Sequence, residues 1–242
     1  MTEPFTSSPA VPKKSIHADG ARIRNIIFDL DGTLADSMPG ILASLRHTFR
    51  ELGLNYVDSS VYGRFIGPPL AESFRNILHL SETESVRAVG IYRGHYSVHG
   101  IVDSIAYPGI PDALARLGGM DVRLFIASAK LTRFASGLVH HLGLSGYFER
   151  VCGSTPDNSV TSKAEILRHL LDTEPRIVPG ETIMVGDMDL DVIGARANGI
   201  RSIAVLYGYR NRDDILASEP DFTAEIVSEL VSVLVSITAP RS

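Results

Sequence analysis

Four short apolar runs, at residues 23–30, 122–128, 182–187 and 202–206, each stop abruptly at small, polar or acidic residues. Runs of that length without polar alternation suit strands buried on both faces, which need helices packed above and below them. Helix-length segments lie between the runs, at residues 111–117, 131–142, 162–171 and 191–198. The alternation predicts an α/β fold with a parallel sheet and crossover helices. A chain of 242 residues accommodates one such core and a smaller insert.

Residues 38–106 break the rhythm. The stretches ILASLRHTFRELG, LAESFRNILHL and ETESVRAVGIYRGHY suit amphipathic helices, with GPP and SET as punctuation and no convincing strand. The expected organisation is a flexible leader over residues 1–22, a core from residues 23–37 and 107–242, and an all-helical insert over 38–106. An insert that follows a core strand lies at the mouth of an open sheet, where ligands bind, so it is a candidate lid.

Composition excludes several classes. A net charge of −5 provides no general field for a polyphosphate backbone, and Lys13 and Lys14 form no patch, so no nucleic-acid partner is expected. No apolar run approaches the roughly 18 residues of a membrane span, and the first twenty residues lack the apolar centre of a secretory signal. The single cysteine, Cys152, has no partner for an internal disulfide, which suits a reducing cytoplasm.

The chemistry-bearing residues gather where the apolar runs end. Asp29 and Asp31, in Asp29-Leu30-Asp31-Gly32, share one face if the extended geometry persists. Two carboxylates 4 Å apart repel by about 4 kcal/mol at an effective dielectric of 20, so they need a cation, a shared proton or divergent orientations. A solvated acidic turn would carry the same tetrapeptide. Ser128 ends the second run, with main-chain donors at Ala129 and Lys130 that suit phosphate oxygens; a helix cap is the plainer role. Lys163 opens a predicted helix, where the dipole disfavours a cation, so it is either drawn there by an anion or merely solvated. Asp187, Asp189 and Asp191 cluster at a third run's end, an oxygen-rich set suited to magnesium or to a helix N-terminus. Acid pair, hydroxyl, lysine and acid cluster recur at or just beyond successive strand ends, which favours one functional site.

These residues resemble the haloacid dehalogenase superfamily of aspartate-nucleophile phosphohydrolases over roughly residues 24–234. DLDGTLADS (29–37) resembles motif I, ASAK (127–130) motif II, Lys163 motif III and GDMDLD (186–191) motif IV, in the family's order. FIGPPLAESF, YPGIPDALARL and VIGARANGIRSIAVLYGYR are further similar to its phosphoglycolate phosphatase-like branch. The resemblance implies a doubly wound, Rossmann-like core with a helical cap inserted between motifs I and II. It implies a small phosphorylated metabolite as substrate and phosphoglycolate as the leading candidate.

By the same resemblance Asp29 is the nucleophile, and Asp31 the general acid and base. Ser128, Ala129 and Lys163 hold the phosphoryl group. Magnesium is bound by Asp29, the Asp31 carbonyl and Asp187, while Asp191 orients the ion's waters or Lys163. Some positions depart from the branch: Ala129 lacks a hydroxyl that relatives often have, Met188 stands where arginine is common, and residues 157–160 replace a D-G-T-R-like loop. Carbon–halogen hydrolysis is disfavoured by Asp31, and a Schiff-base phosphonate hydrolase by the absence of lysine from residues 38–106. A nucleotidase or a phosphosugar mutase shares the core residues, whereas a weakly catalytic binding protein that keeps the fold would be marked by loss of Asp29, Asp31, Lys163 or Asp187, all of which are present. Arg64, Arg75 and Arg93 are candidates to meet a substrate carboxylate or base.

Overall fold

The computed structural model describes residues 21–54 and 59–239. Most of the expected leader lies outside them, but Arg22 already donates to the Thr238 carbonyl at 2.8 Å, so contacts with the core begin before residue 23. Strand β1 (Asn25–Phe28) is central, with β4 (Arg123–Leu131) on one side and β6 (Thr182–Gly186) on the other. The six-stranded sheet runs β5 (Arg150–Ser154), β4, β1, β6, β7 (Arg201–Val205), β8 (Phe222–Ala224), and every neighbouring pair in it is parallel.

The apolar runs are continuous because the sheet is covered on both faces. Ile26 and Phe28 pack into a cluster with Leu114, Leu138 and Leu234, whereas Ile27 packs with Ile166, Leu167 and Leu170 on the opposite face. The first face is covered by α5 (Ile110–Gly118), α6 (Thr132–His141) and α10 (Val227–Thr238). The second is covered by α7 (Lys163–Thr173) and α8 (Asp189–Ala197), with α9 (Arg212–Ala217) against β7 and α8. Cutting fully buried Ile27 to alanine would cost about 2–5 kcal/mol at such a site. This is the doubly wound, Rossmann-like fold, and its strand order departs in opposite directions from β1, which opens a crevice at the carboxyl ends of β1, β4 and β6.

Between β1 and β4 the chain leaves the sheet as α1 (Met38–Glu51), α2 (Ser59–Tyr62), α3 (Leu70–Leu78) and α4 (Glu82–His95), which runs into a π-helical turn at Tyr96–Gly100. Leu45, Phe49, Phe65, Phe74 and Ala88 form this cap's interior, and Leu131 and Phe134 of the core complete the same cluster. The cap is therefore seated on the end of β4 and the start of α6. Where the sequence predicts helix alone, β3 (Ile105–Ala106) pairs antiparallel with β2 (Ala35–Asp36). This short ladder stitches together the two crossings between core and cap. No helix among the described residues is long and apolar enough to cross a membrane.

Candidate active site

Three strand ends deliver the predicted groups to one place. Asp29 follows β1, Asp187 follows β6, and Asp191 lies in the first turn of α8; all three are buried, and one ligand oxygen from each falls within 4.8 Å of the others. Lys163, first residue of α7, enters from the side. Ser162 and Glu165 form a capping box there, which occupies the amides of that helix end and leaves the lysine side chain free to point inward. Its ammonium lies 2.8 Å from Asp29 Oδ1 and 2.8 Å from Asp191 Oδ1, and donates to the Ala127 carbonyl at 2.7 Å.

Asp187 is held by the Thr33 hydroxyl at 3.1 Å on Oδ1 and the Tyr209 amide at 2.8 Å on Oδ2. The turn that brings Thr33 there requires Gly32. Its φ is +81°, and a β-carbon at this position would fall 2.2 Å from Asp187 Oδ2. The glycine after the acid pair is thus what lets the motif I turn close on the third strand end.

Three carboxylates and one ammonium would, all ionised, leave two uncompensated negative charges in a buried site. Burial, reinforced by Asp191 and Asp31 and opposed by Lys163, pushes the Asp29 carboxyl up to about 7. Asp187 is raised well above the carboxylate range by burial, Asp29 and Asp191, against the pull of the Tyr209 amide and Thr33. Burial alone would lower the Lys163 value, but Asp191 and Asp29 outweigh it and hold the ammonium charged. Asp29 Oδ1 and Asp191 Oδ1 face Lys163 at ion-pair distance but lack a well-directed hydrogen-bond donor among the described residues. Buried carboxylate oxygens with net charge and unfilled lone pairs fit a small divalent cation.

Asp31 stands apart from this cluster. Its carboxylate accepts from the Ser37 hydroxyl at 2.5 Å and pairs with Lys130 at 3.0 Å, so the two motif I acids diverge into different environments. Asp29, Asp31, Ser128, Ala129 and Lys130 line one cavity of about 640 Å³ whose roof is the cap. Ser128 is buried, and its Oγ accepts from the Lys130 amide at 3.3 Å. Of the three cap arginines, Arg75 and Arg93 line the cavity and Arg64 does not. Arg75 is paired with Glu82 at 2.5 Å, whereas Arg93 has no acidic partner among the described residues.

A sequence profile described as haloacid dehalogenase-like hydrolase matches residues 26–205. The chain belongs to this family.

Among curated relatives of this hydrolase, a 5'-nucleotidase of Pseudomonas aeruginosa is 35% identical over 215 residues, 89% of this chain and 97% of its own. The tyrosine-protein kinase PtkA of Mycobacterium tuberculosis is 37% identical over 190 residues, 78% of this chain but 64% of PtkA. A phosphoglycolate phosphatase of Aquifex aeolicus is 31% identical, with 88% of this chain and 97% of that one covered. The crystal structure of a predicted phosphatase from Clostridium acetobutylicum superimposes with a TM-score of 0.83 at 30% identity, covering 88% of this chain and 98% of that one. The hydrolase is thus a phosphatase of the phosphoglycolate phosphatase-like kind.

Sequence reasoning assigned no role to Thr33, Ser37, Tyr209 or the Lys130 side chain. Thr33 and Ser37 lie inside the motif I stretch and Lys130 inside ASAK, so their proximity to chemistry was visible. Tyr209 gave no such signal: its hydroxyl accepts from the Ser37 and Met38 amides at 2.6 and 3.1 Å, across 172 and 171 residues.

Proposed function

We propose that this hydrolase is a magnesium-dependent phosphatase of small phosphomonoesters that works through an aspartyl-phosphate on Asp29. The observation that carries the reading is the clustering of three buried carboxylates, two of them ion-paired with one buried ammonium, beside a fourth carboxylate held elsewhere. Asp29, the Asp31 main-chain carbonyl and Asp187 would hold magnesium, which offsets the negative charge shared by nucleophile and phosphate. Residues 23–37 and 107–242 then constitute the catalytic core, and residues 38–106 the cap domain.

A carboxylate oxygen of Asp29 attacks phosphorus as the ester P–O bond breaks, and the Asp31 carboxyl gives its proton to the departing oxygen. Water then attacks the same phosphorus, Asp31 takes a proton back from it, and the Asp29–phosphorus bond breaks to release phosphate. Lys163 favours the ionised form of Asp29 against the effect of burial and, with Ser128 and the main chain at Ala129, offers positive charge and donors to the phosphoryl oxygens. Asp191 fixes Lys163 in place. The buried thiol of Cys152, unpaired in the fold, accords with the cytoplasm as the working compartment.

For the substrate, resemblance leads to phosphoglycolate, whose carboxylate suits Arg93. A second reading, a nucleoside 5'-monophosphate, is favoured by the cavity of about 640 Å³, whose cap wall includes the half-buried Tyr92, a ring on which a base can lie. Specificity constants for both classes, measured with magnesium and with a chelator, test the proposal. Phosphate release unaffected by chelation contradicts the metal role, and the ranking of kcat/KM decides between the substrates.

A further inference from the structure

Lys130 is the one charged side chain of motif II, and it has no part in the scheme above, yet its surroundings are specific. Strand β4 pairs with β5 in register up to Ser128↔Gly153, and the next pair is Leu131↔Ser154. Ala129 and Lys130 are therefore extra residues in a bulge, a device that re-aims side chains next to sites. The bulge sends the Lys130 ammonium to two partners. It lies 3.0 Å from Asp31 Oδ2, and 4.0 Å from the centroid of the Tyr96 ring, which it faces.

Tyr96 belongs to the cap, at the start of its π-helical turn. Its ring is buried and positioned by backbone: a β-carbon on Gly100 would lie 2.3 Å from Tyr96 Cδ2, so only glycine lets the ring settle there. Tyr92 stacks on Tyr96 at 5.7 Å with planes 11° apart and also lines the cavity. The Tyr96 hydroxyl is buried without a well-directed hydrogen-bond partner among the described residues, and the Lys130 ammonium lies over the face of the ring. The other Asp31 oxygen is held by Ser37, at the point where the chain enters α1 of the cap. Both oxygens of Asp31 thus depend on where the cap sits.

We propose that Lys130 is a positioning residue that couples the seating of the cap to Asp31, its ammonium bridging the Asp31 carboxylate and the Tyr96 ring. This rests on Asp31 being the proton donor to the leaving group. Seating of Tyr96 over Lys130 fixes the ammonium, and the fixed ammonium orients the carboxyl toward the ester oxygen. The consequence is selective: proton donation matters for an alkoxide leaving group and little for a stabilised phenolate.

The test compares kcat/KM, which stops at phosphoryl transfer, on 4-nitrophenyl phosphate and on the best alkyl phosphate of a substrate panel. Lys130→Met is expected to lose about 100-fold on the alkyl ester and less than about fivefold on the aryl ester. Tyr96→Leu should lose about tenfold with the same bias, Tyr96→Phe should stay within about twofold, and the Lys130→Met/Tyr96→Leu pair should be no worse than Lys130→Met alone. Equal losses on the two esters, or additive losses in the double variant, overturn the coupling. Asp31→Asn run in parallel separates the two ideas: if it shows the leaving-group bias and Lys130→Met does not, only the coupling falls. If Asp31→Asn shows no bias, the proton-donor assignment falls and the coupling with it. Should Lys130→Met fail to fold by circular dichroism, Tyr96→Leu decides alone, an even loss counting against the proposal.

Discussion

The Asp29 carboxylate and the Lys163 ammonium face each other at 2.8 Å, both nearly removed from solvent, with Asp191 at the same distance on the lysine's other side. The ammonium opposes the effect of burial and favours the ionised form of Asp29, the form the proposed nucleophile needs. Asp29→Asn removes the attacking oxygen while preserving shape, so turnover should fall by more than about 10⁴-fold. Far-ultraviolet circular dichroism should be unchanged. Near-normal phosphate release by this variant, free of wild-type contamination, contradicts Asp29 as nucleophile.

Lys163→Met makes the opposite change. It strands two buried carboxylates without their cation, a class of substitution that destabilises by about 3–5 kcal/mol. Chemical denaturation in chelator should show a loss of that order, and magnesium should recover part of it by occupying the same field. A variant as stable as wild type in chelator would mean that the lysine contributes nothing to holding the acids together.

The acids also set a pH dependence in the metal-free protein. Asp29 titrates near 7 when folded, against 3.8 for an unperturbed aspartate, chiefly because it is buried. Between those values the folded chain keeps a proton that the unfolded chain has released, so stability declines as pH rises. The contribution is complete below pH 3.8 and lost as pH passes about 7, and Asp187 acts in the same direction. Thermal midpoints in chelator should therefore fall from pH 5 to pH 8, and magnesium should raise the midpoint more at pH 8 than at pH 5. A midpoint that climbs over that interval in chelator is the contrary result.

Arg93 discriminates between substrates. If phosphoglycolate is the substrate, Arg93→Met should raise KM by about tenfold or more and leave kcat on 4-nitrophenyl phosphate within about twofold, as expected for a charge-assisted contact remote from phosphorus. If nucleoside monophosphates rank first in specificity constant, KM for phosphoglycolate should be high at the outset and barely respond.

How much of this was legible in the residues follows from where their partners lie. Strands β1, β4 and β6 are fully covered and announce themselves as apolar runs. Strands β5 and β8 sit at the sheet edges, and RVCGS and FTA carry too little apolar character to stand out. The carboxylates and Lys163 were legible because strand ends gather at one rim of a parallel sheet, so position along the chain translates into position in space. Ser128 sits within β4 rather than at its end, since the bulge extends the strand to Leu131. Tyr96 and Tyr209 could not be read in advance. Their roles depend on a ring reaching Lys130 from the cap and a hydroxyl reaching Ser37 across the sheet rim, contacts that no local pattern encodes.

The small ladder that pairs Ala35 with Ala106 and Asp36 with Ile105 has a further implication. The chain returns to the spot it left, so everything between Asp36 and Ile105 is, topologically, the tip of a hairpin. Its length and composition can drift without disturbing strand register, as long as Ser37, Tyr96 and Gly100 and the residues packed on Leu131 and Phe134 are kept. Outside those positions the roof of the cavity can thus diversify while the carboxylates at its floor stay where the sheet places them.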